Sequence, residues 1–204
     1  MRSSWPGRTP SGPYASRRAR VRHRHRHRHR HRHRHRHRHQ RRAPHPMGRL
    51  PAGTDRDEFH ALVVRTDHDS EQAWQAVIAE LMQPWGDRDY EPLVHFVDDP
   101  AWAGATVDEV LVAAAADEDL CVVFVADSVT MGSAHHGLLA VTTVPAEEYE
   151  NLEEYEELRE LGREFRTVPA GVHDIHANLS IANLDFEDFA AAAREAPGRV
   201  FRSL

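Results

Sequence analysis

The chain of 204 residues has no lysine; all twenty-six of its permanently basic side chains are arginine. That excludes the aspartate-nucleophile phosphatases and the receiver domains of response regulators, whose acidic sites need one. Cysteine is almost as scarce. Cys121 stands alone in the apolar run Leu120 to Ala126, which rules out a disulfide framework and leads us to expect a reducing, cytoplasmic setting. No apolar run approaches the ~20 residues of a membrane span. The N-terminus lacks an apolar h-region, so Arg17-Arg18 is not read as a twin-arginine signal and no secretory peptide is expected. A Gly-rich phosphate loop, a Gly-x-Ser-x-Gly elbow and a cysteine-containing zinc spacing are also missing. Nothing nominates a nucleophile.

What is present divides at Met47. Residues 1–46 hold sixteen Arg, ten His and no acidic residue, whereas thirty-two Asp and Glu face ten Arg from there on. A +16 tail thus precedes a −22 body. Between Arg22 and His39 the tail alternates Arg and His without a break. Such a segment has nothing to bury and repels itself, so it is expected to be disordered. If translated, it would bind nucleic acid by releasing counterions. A dinucleotide-like repeat in a lysine-free chain also fits a start assigned too early, with Met47 opening the true protein.

Residues 47–57 read as a polar lead-in, and 58–204 as one domain large enough to bury a core. Ala61 to Val64 predicts a buried strand. Asp69 with Gln72 predicts a capped helix with Ala73, Trp74, Val77, Ile78 and Leu81 on one face. Pro84 to Pro92 is loop and Leu93 to Val97 a second strand. Thr106 with Glu109 caps a second helix carrying Val107, Val110, Leu111 and Ala114. Leu120 to Ala126 predicts the central strand, and Leu138 to Val144 another. This order predicts an α/β fold, a mostly parallel central sheet with helices on both faces. Further on, Phe165 to Val168 suits a strand ended by Pro169. Val172, Ile175, His176 and Leu179 form a helix face, and His173 stands three residues before His176. On that apolar face a hydrogen-bonded core histidine is expected. Asp185 caps a last helix with Phe186, Phe189, Ala190 and Ala193 inward, and Val200 to Leu204 reads as an edge strand. The stretch 146–161 is glutamate-rich and recurs in Tyr and Leu, as in a solvated amphipathic helix or a docking helix for a basic partner.

Ligands of open parallel sheets bind beyond the carboxyl ends of the strands. Here the first three strands run into Arg65-Thr66-Asp67-His68-Asp69, Asp98-Asp99 and Asp127-Ser128. Parallel neighbours would bring Asp67, Asp98 and Asp127 together, an arrangement suited to a divalent cation such as Mg²⁺. Alternatively, Arg65 neutralises the cluster, and the acids simply start turns and cap helices. In Asn178 to Asn183, Asn and Ser are expected to satisfy frayed helix ends.

Arg65-Thr66-Asp67 with Trp74, Phe96-Val97-Asp98-Asp99, Phe124-Val125-Ala126-Asp127, Phe165-Arg166 with Pro169, Asn178 to Asp188 and Phe201-Arg202 together resemble a family of small uncharacterised actinobacterial domains, over about Phe59 to Leu204. The resemblance implies a recurrent α/β domain and transfers no site. The expectation from composition and charge is an acidic, non-catalytic module, protein-binding or regulatory, with no membrane contact. A metal-dependent enzyme acting on phosphate esters through Asp67, Asp98 and Asp127 is one alternative. Nucleic-acid binding through the tail is the other.

Overall fold

Strands covered on both faces are apolar without interruption, because neither side of the pleat meets water. Ala61–Arg65 (β1), Val122–Ala126 (β3) and Leu138–Thr142 (β4) are buried at every position. The computed structural model describes residues 56–144 and 162–203. The Arg-His tail, the lead-in up to residue 55 and the glutamate-rich stretch 146–161 lie outside the described residues. Val94–Val97 (β2), Glu164–Thr167 (β5) and Val200–Phe201 (β6) complete a six-stranded sheet in the order β2-β1-β3-β4-β5-β6.

β1 pairs in parallel with both β2 and β3, β5 pairs in parallel with β6, and β4 runs antiparallel to its neighbours β3 and β5. The sheet is therefore mostly parallel, with β3 at its centre. The reversal at β4 has a local cause. Only the short helix Ser128–Gly132 (α3) and six loop residues separate β3 from β4. A parallel return needs a crossover of a dozen or more residues, so β4 must start from the edge where β3 ends.

Helices cover both faces. Glu71–Leu81 (α1), Pro169–Ser180 (α4) and Phe186–Glu195 (α5) bury Trp74, Val77, Leu81, Val172, Ile175, Phe186 and Phe189 against Val63, Phe124 and Ala140. Val107–Ala114 (α2) and the 3₁₀ turn Pro100–Trp102 lie on the other, with Val110, Ala114 and Trp102 against Val64, Val123 and Val125. Adjacent strand residues feed opposite cores, as the period of two requires.

The predicted caps hold at two helices and shift at one. Thr106 and Glu109 form a reciprocal capping box at α2, and Asp185 with Asp188 does so at α5. At α1 the cap is Ser70 rather than Asp69; its hydroxyl accepts the Ala73 N–H at 3.2 Å. Asp69 instead donates its own N–H to the Asp67 carboxylate, 2.8 Å, which closes the turn one residue earlier. None of the described helices is long and apolar enough to cross a membrane.

Candidate functional site at the carboxyl edge of the sheet

The α1 connection from β1 to β2 and the α2 connection from β2 to β3 pass over opposite faces of the sheet. Their divergence places a topological switch point at the carboxyl ends of β1 and β3, the usual ligand crevice of such folds. The loop after β1 closes over the end of β3, because the N–H groups of Thr66 and Asp67 both donate to the Ala126 carbonyl, at 2.9 and 3.3 Å. The Thr66 carbonyl in turn accepts from Gly104 at 2.8 Å, tying in the segment that follows β2.

Two guanidinium groups organise this edge. Arg65, the last residue of β1, has a side chain only 4 % exposed. Its Nη1 donates to Glu71 Oε2 at 2.8 Å and to Asp98 Oδ1 at 3.1 Å, and its Nε to the Asp67 carbonyl at 2.9 Å. The guanidinium lies 5.4 Å from the centre of the Trp74 ring, whose Nε1–H donates to Asp98 Oδ2 at 2.8 Å. Asp98 thus joins α1 to the end of β1 through both its oxygens. Glu71 is exposed, and the Gln75 amide, then Arg65, hold its carboxyl below the usual range. His68 reaches toward the same carboxylate, its Nδ1 3.8 Å from Asp98 Oδ1, while its Nε2 is buried without a hydrogen-bond partner among the described residues.

The second guanidinium comes from β5. Arg166 grips Asp127 with two parallel bonds, Nη1 to Oδ1 at 2.8 Å and Nη2 to Oδ2 at 2.6 Å, and Nη1 also donates to the Gly137 carbonyl at 3.0 Å. Asp127 caps α3 as well, accepting the N–H groups of Val129 and Thr130, each at 3.1 Å. Burial pushes the Asp127 carboxyl up, but the Arg166 bond and the Thr130 amide outweigh it, and the net shift is downward. This bond set ties β3, α3, the turn before β4 and β5 into one unit.

Of the three carboxylates predicted to converge, Asp98 and Asp127 are therefore held by different guanidinium groups, and Asp67 uses one oxygen to accept from Asp69. No group of three or more His, Cys, Asp or Glu side chains among the described residues is arranged to hold a metal ion. Neutralisation by Arg65, the alternative reading of the sequence, describes the contacts seen at Asp98. The sequence names Arg166 only beside Phe165 in the family resemblance and gives it no role; its signal is an arginine at the third position of a short strand whose flanking Phe165 and Thr167 are buried.

Arg166→Met should remove about 2 kcal/mol of stability at pH 7. The value is set by charge-assisted bonds between groups 22 % and 27 % exposed, below the loss at fully buried pairs. Because the Asp127 carboxyl is depressed in the folded state, its contribution is present above its unfolded pKa and fades as pH falls through the folded one. Urea denaturation should therefore show a difference between wild type and variant that narrows as pH falls below the ordinary carboxylate range. A gap of equal size at pH 7 and pH 3 would show that Arg166 acts by packing alone.

Residues 60–204 match the family described as a domain of unknown function, DUF6924. The chain belongs to this family. The match spans all six strands and both guanidinium centres and excludes the Arg-His tail, in keeping with the resemblance read from Arg65-Thr66-Asp67 through Phe201-Arg202. No curated protein and no solved structure matches this DUF6924 chain.

Proposed function

We propose that this DUF6924 domain is a non-catalytic binding module whose acidic carboxyl edge engages a basic protein partner. One observation carries the reading: the carboxylates nearest the strand ends are tied by the chain's own arginines, whereas acids remain in surplus around them. Asp67, Asp69, Asp98, Asp99 and Asp127 follow the ends of β1, β2 and β3, and Glu71 opens α1, against Arg65 and Arg166. A carboxylate fixed by a bidentate guanidinium is a poor general base, because its lone pairs are occupied and its charge is stabilised. The same fixation keeps the surrounding loops in one conformation, which lowers the ordering cost of binding, and the residual negative field would steer a basic surface toward the edge.

The test spares the two tied carboxylates. In Asp67→Asn/Asp69→Asn/Asp99→Asn, all three changes fall on loop side chains that neither Arg65 nor Arg166 contacts. The full chain, isolated from its own cells at 0.1 M salt after nuclease treatment, should retain a stoichiometric protein partner. Raising the salt to 0.5 M should weaken retention at least tenfold, and the triple variant, folded by circular dichroism, should lose the partner. Wild type that isolates alone, or a partner held equally by the variant, would reject the reading.

A further inference from the structure

The two edges of the sheet are unlike. β6 is two residues long, and its Phe201 is buried against Phe165 and Phe189. β2 is half-buried at each of its positions, and no strand among the described residues pairs with its outer side. The Ala61 N–H donates to the Leu93 carbonyl at 2.9 Å, in a register that sets Ala61 beside Val94 and Val63 beside Phe96. In a parallel pair alternate residues serve one neighbour, so Leu93, His95 and Val97 turn their backbone groups to β1. The N–H and C=O groups of Val94 and Phe96 therefore face outward, with no backbone partner among the described residues.

Open edges are ordinarily blunted by a charge, a proline or a bulge within the strand. β2 has none of these: it reads Val-His-Phe-Val and keeps its register on β1 throughout. Phe96 stands edge-on to Trp74, with centroids 5.8 Å apart, which holds the strand in one conformation. The charges lie just outside. Glu91 precedes β2, and Asp98 and Asp99 follow it. Asp99 is still extended, φ −115° and ψ 126°, and one of its oxygens accepts the Ala101 N–H at 2.8 Å. Neither Glu91 nor Asp99 is paired with a basic side chain among the described residues.

These acids select the occupant. A second copy added antiparallel about His95 would use Val94 and Phe96 of both strands, but would set Glu91 of each opposite Asp99 of the other. Like charges directly opposite destabilise a strand pair, and each body from Met47 onward already carries −22. A foreign strand with a basic residue at either end meets the same two acids as partners. We propose that β2 is a strand-addition site, an extension that rests on the basic-partner reading: an extended, basic-ended segment of the protein partner pairs with the outer edge of β2, between Glu91 and Asp99. Antiparallel addition is slightly the more stable per residue and exchanges paired bonds with Val94 and with Phe96. Those backbone groups supply affinity, and the flanking acids supply selectivity.

Amide exchange of the full chain, followed residue by residue by NMR, tests this with a synthetic nine-residue probe, acetyl-Arg-Thr-Val-Thr-Val-Thr-Val-Thr-Arg-amide. Its arginines fall opposite Glu91 and Asp99 when its fourth and sixth residues pair with Phe96 and Val94. In the free chain Val94 and Phe96 should exchange faster than His95 and Val97. Millimolar probe at 0.1 M salt should slow both by about tenfold. The probe N-methylated at its fourth and sixth residues, or carrying Glu in place of both Arg, should not. No slowing by the arginine probe, or equal slowing by either control, would overturn the proposal, as would a wild-type dimer whose assembly protects Val94 and Phe96. The partner isolated from cells separates the two levels. A retained partner that leaves both amides exchanging freely removes only the strand-addition site, whereas wild type that isolates alone removes the basic partner and the site with it.

Discussion

Asp98→Ala is expected to cost the domain about 3 kcal/mol, the low end for breaking a buried ion pair, because Arg65 is buried but the Asp98 side chain is 38 % exposed. The magnitude follows from what Asp98 leaves behind. Arg65, 4 % exposed, would keep only Glu71 as a carboxylate partner, and that side chain is 65 % exposed. Trp74, wholly buried in the core, would keep an indole N–H without its acceptor. Asp98→Asn should recover part of the loss, because the amide oxygen can take the Trp74 bond while its NH₂ faces the guanidinium. In a double-mutant cycle, Arg65→Met should be less damaging on Asp98→Ala than on wild type, since the stranded cation is then gone. Urea denaturation of the four proteins measures this, and strict additivity would mean that Asp98 and Arg65 contribute independently. Millimolar Mg²⁺ that raised the wild-type melting temperature, but not that of Asp98→Ala, would instead assign the carboxylate to a cation.

How much of this was legible depends on the range of the interaction. Apolar runs and caps are local, so β1, the Thr106–Glu109 box, the centrality of β3 and the inward face of α5 follow from neighbours in the chain. The cap of α1 moved by one residue because both Asp69 and Ser70 are competent, and the turn accepting into Asp67 decides between them. The turn Asn178 to Asn183 uses its local polar bonds as expected, with Asn183 Nδ2 donating to Asn178 Oδ1 at 2.7 Å. Its left-handed residue, however, is Ala182, φ 58°. The ion pairs join residues 33 and 39 apart, Arg65 to Asp98 and Arg166 to Asp127. Such pairs can be assigned only once strand order is known, and the antiparallel β4 sets β5 beside it. The histidine expected in the core is His173 rather than His176. Helical periodicity gives the face, but the bond to Leu81 comes from α1.

Gly171 is the clearest case of a residue whose role sequence alone reverses. A glycine inside a helix reads as a weakness, and replacing it with alanine should favour the helix by about 1 kcal/mol. In the structure α4 passes over β5 and β6 at this residue. A β-carbon there would press into the Thr167 hydroxyl and sit 2.9 Å from the nearest atom of the Phe201 ring. Neither neighbour has room to yield. Thr167 is wholly buried and donates its hydroxyl to the carbonyls of Val168 and Phe201 at 3.1 and 3.3 Å, while the Phe201 ring packs edge-on against Phe165 and Phe189. Overpacking against two such groups lies at or above the upper end of the usual cost, about 4 kcal/mol. Gly171→Ala should therefore lower stability by about 3 kcal/mol despite the better helix former. The loss should concentrate where β6, only two residues long, is held beneath α4, with amide protection at Val200 and Phe201 falling first. Thr167→Ala removes the hydroxyl in the way, so the double variant should be less destabilised than the two single losses predict. A Gly171→Ala protein as stable as wild type would mean that α4 can lift from the sheet without cost, and that its contact with β5 and β6 does not hold this end of the fold.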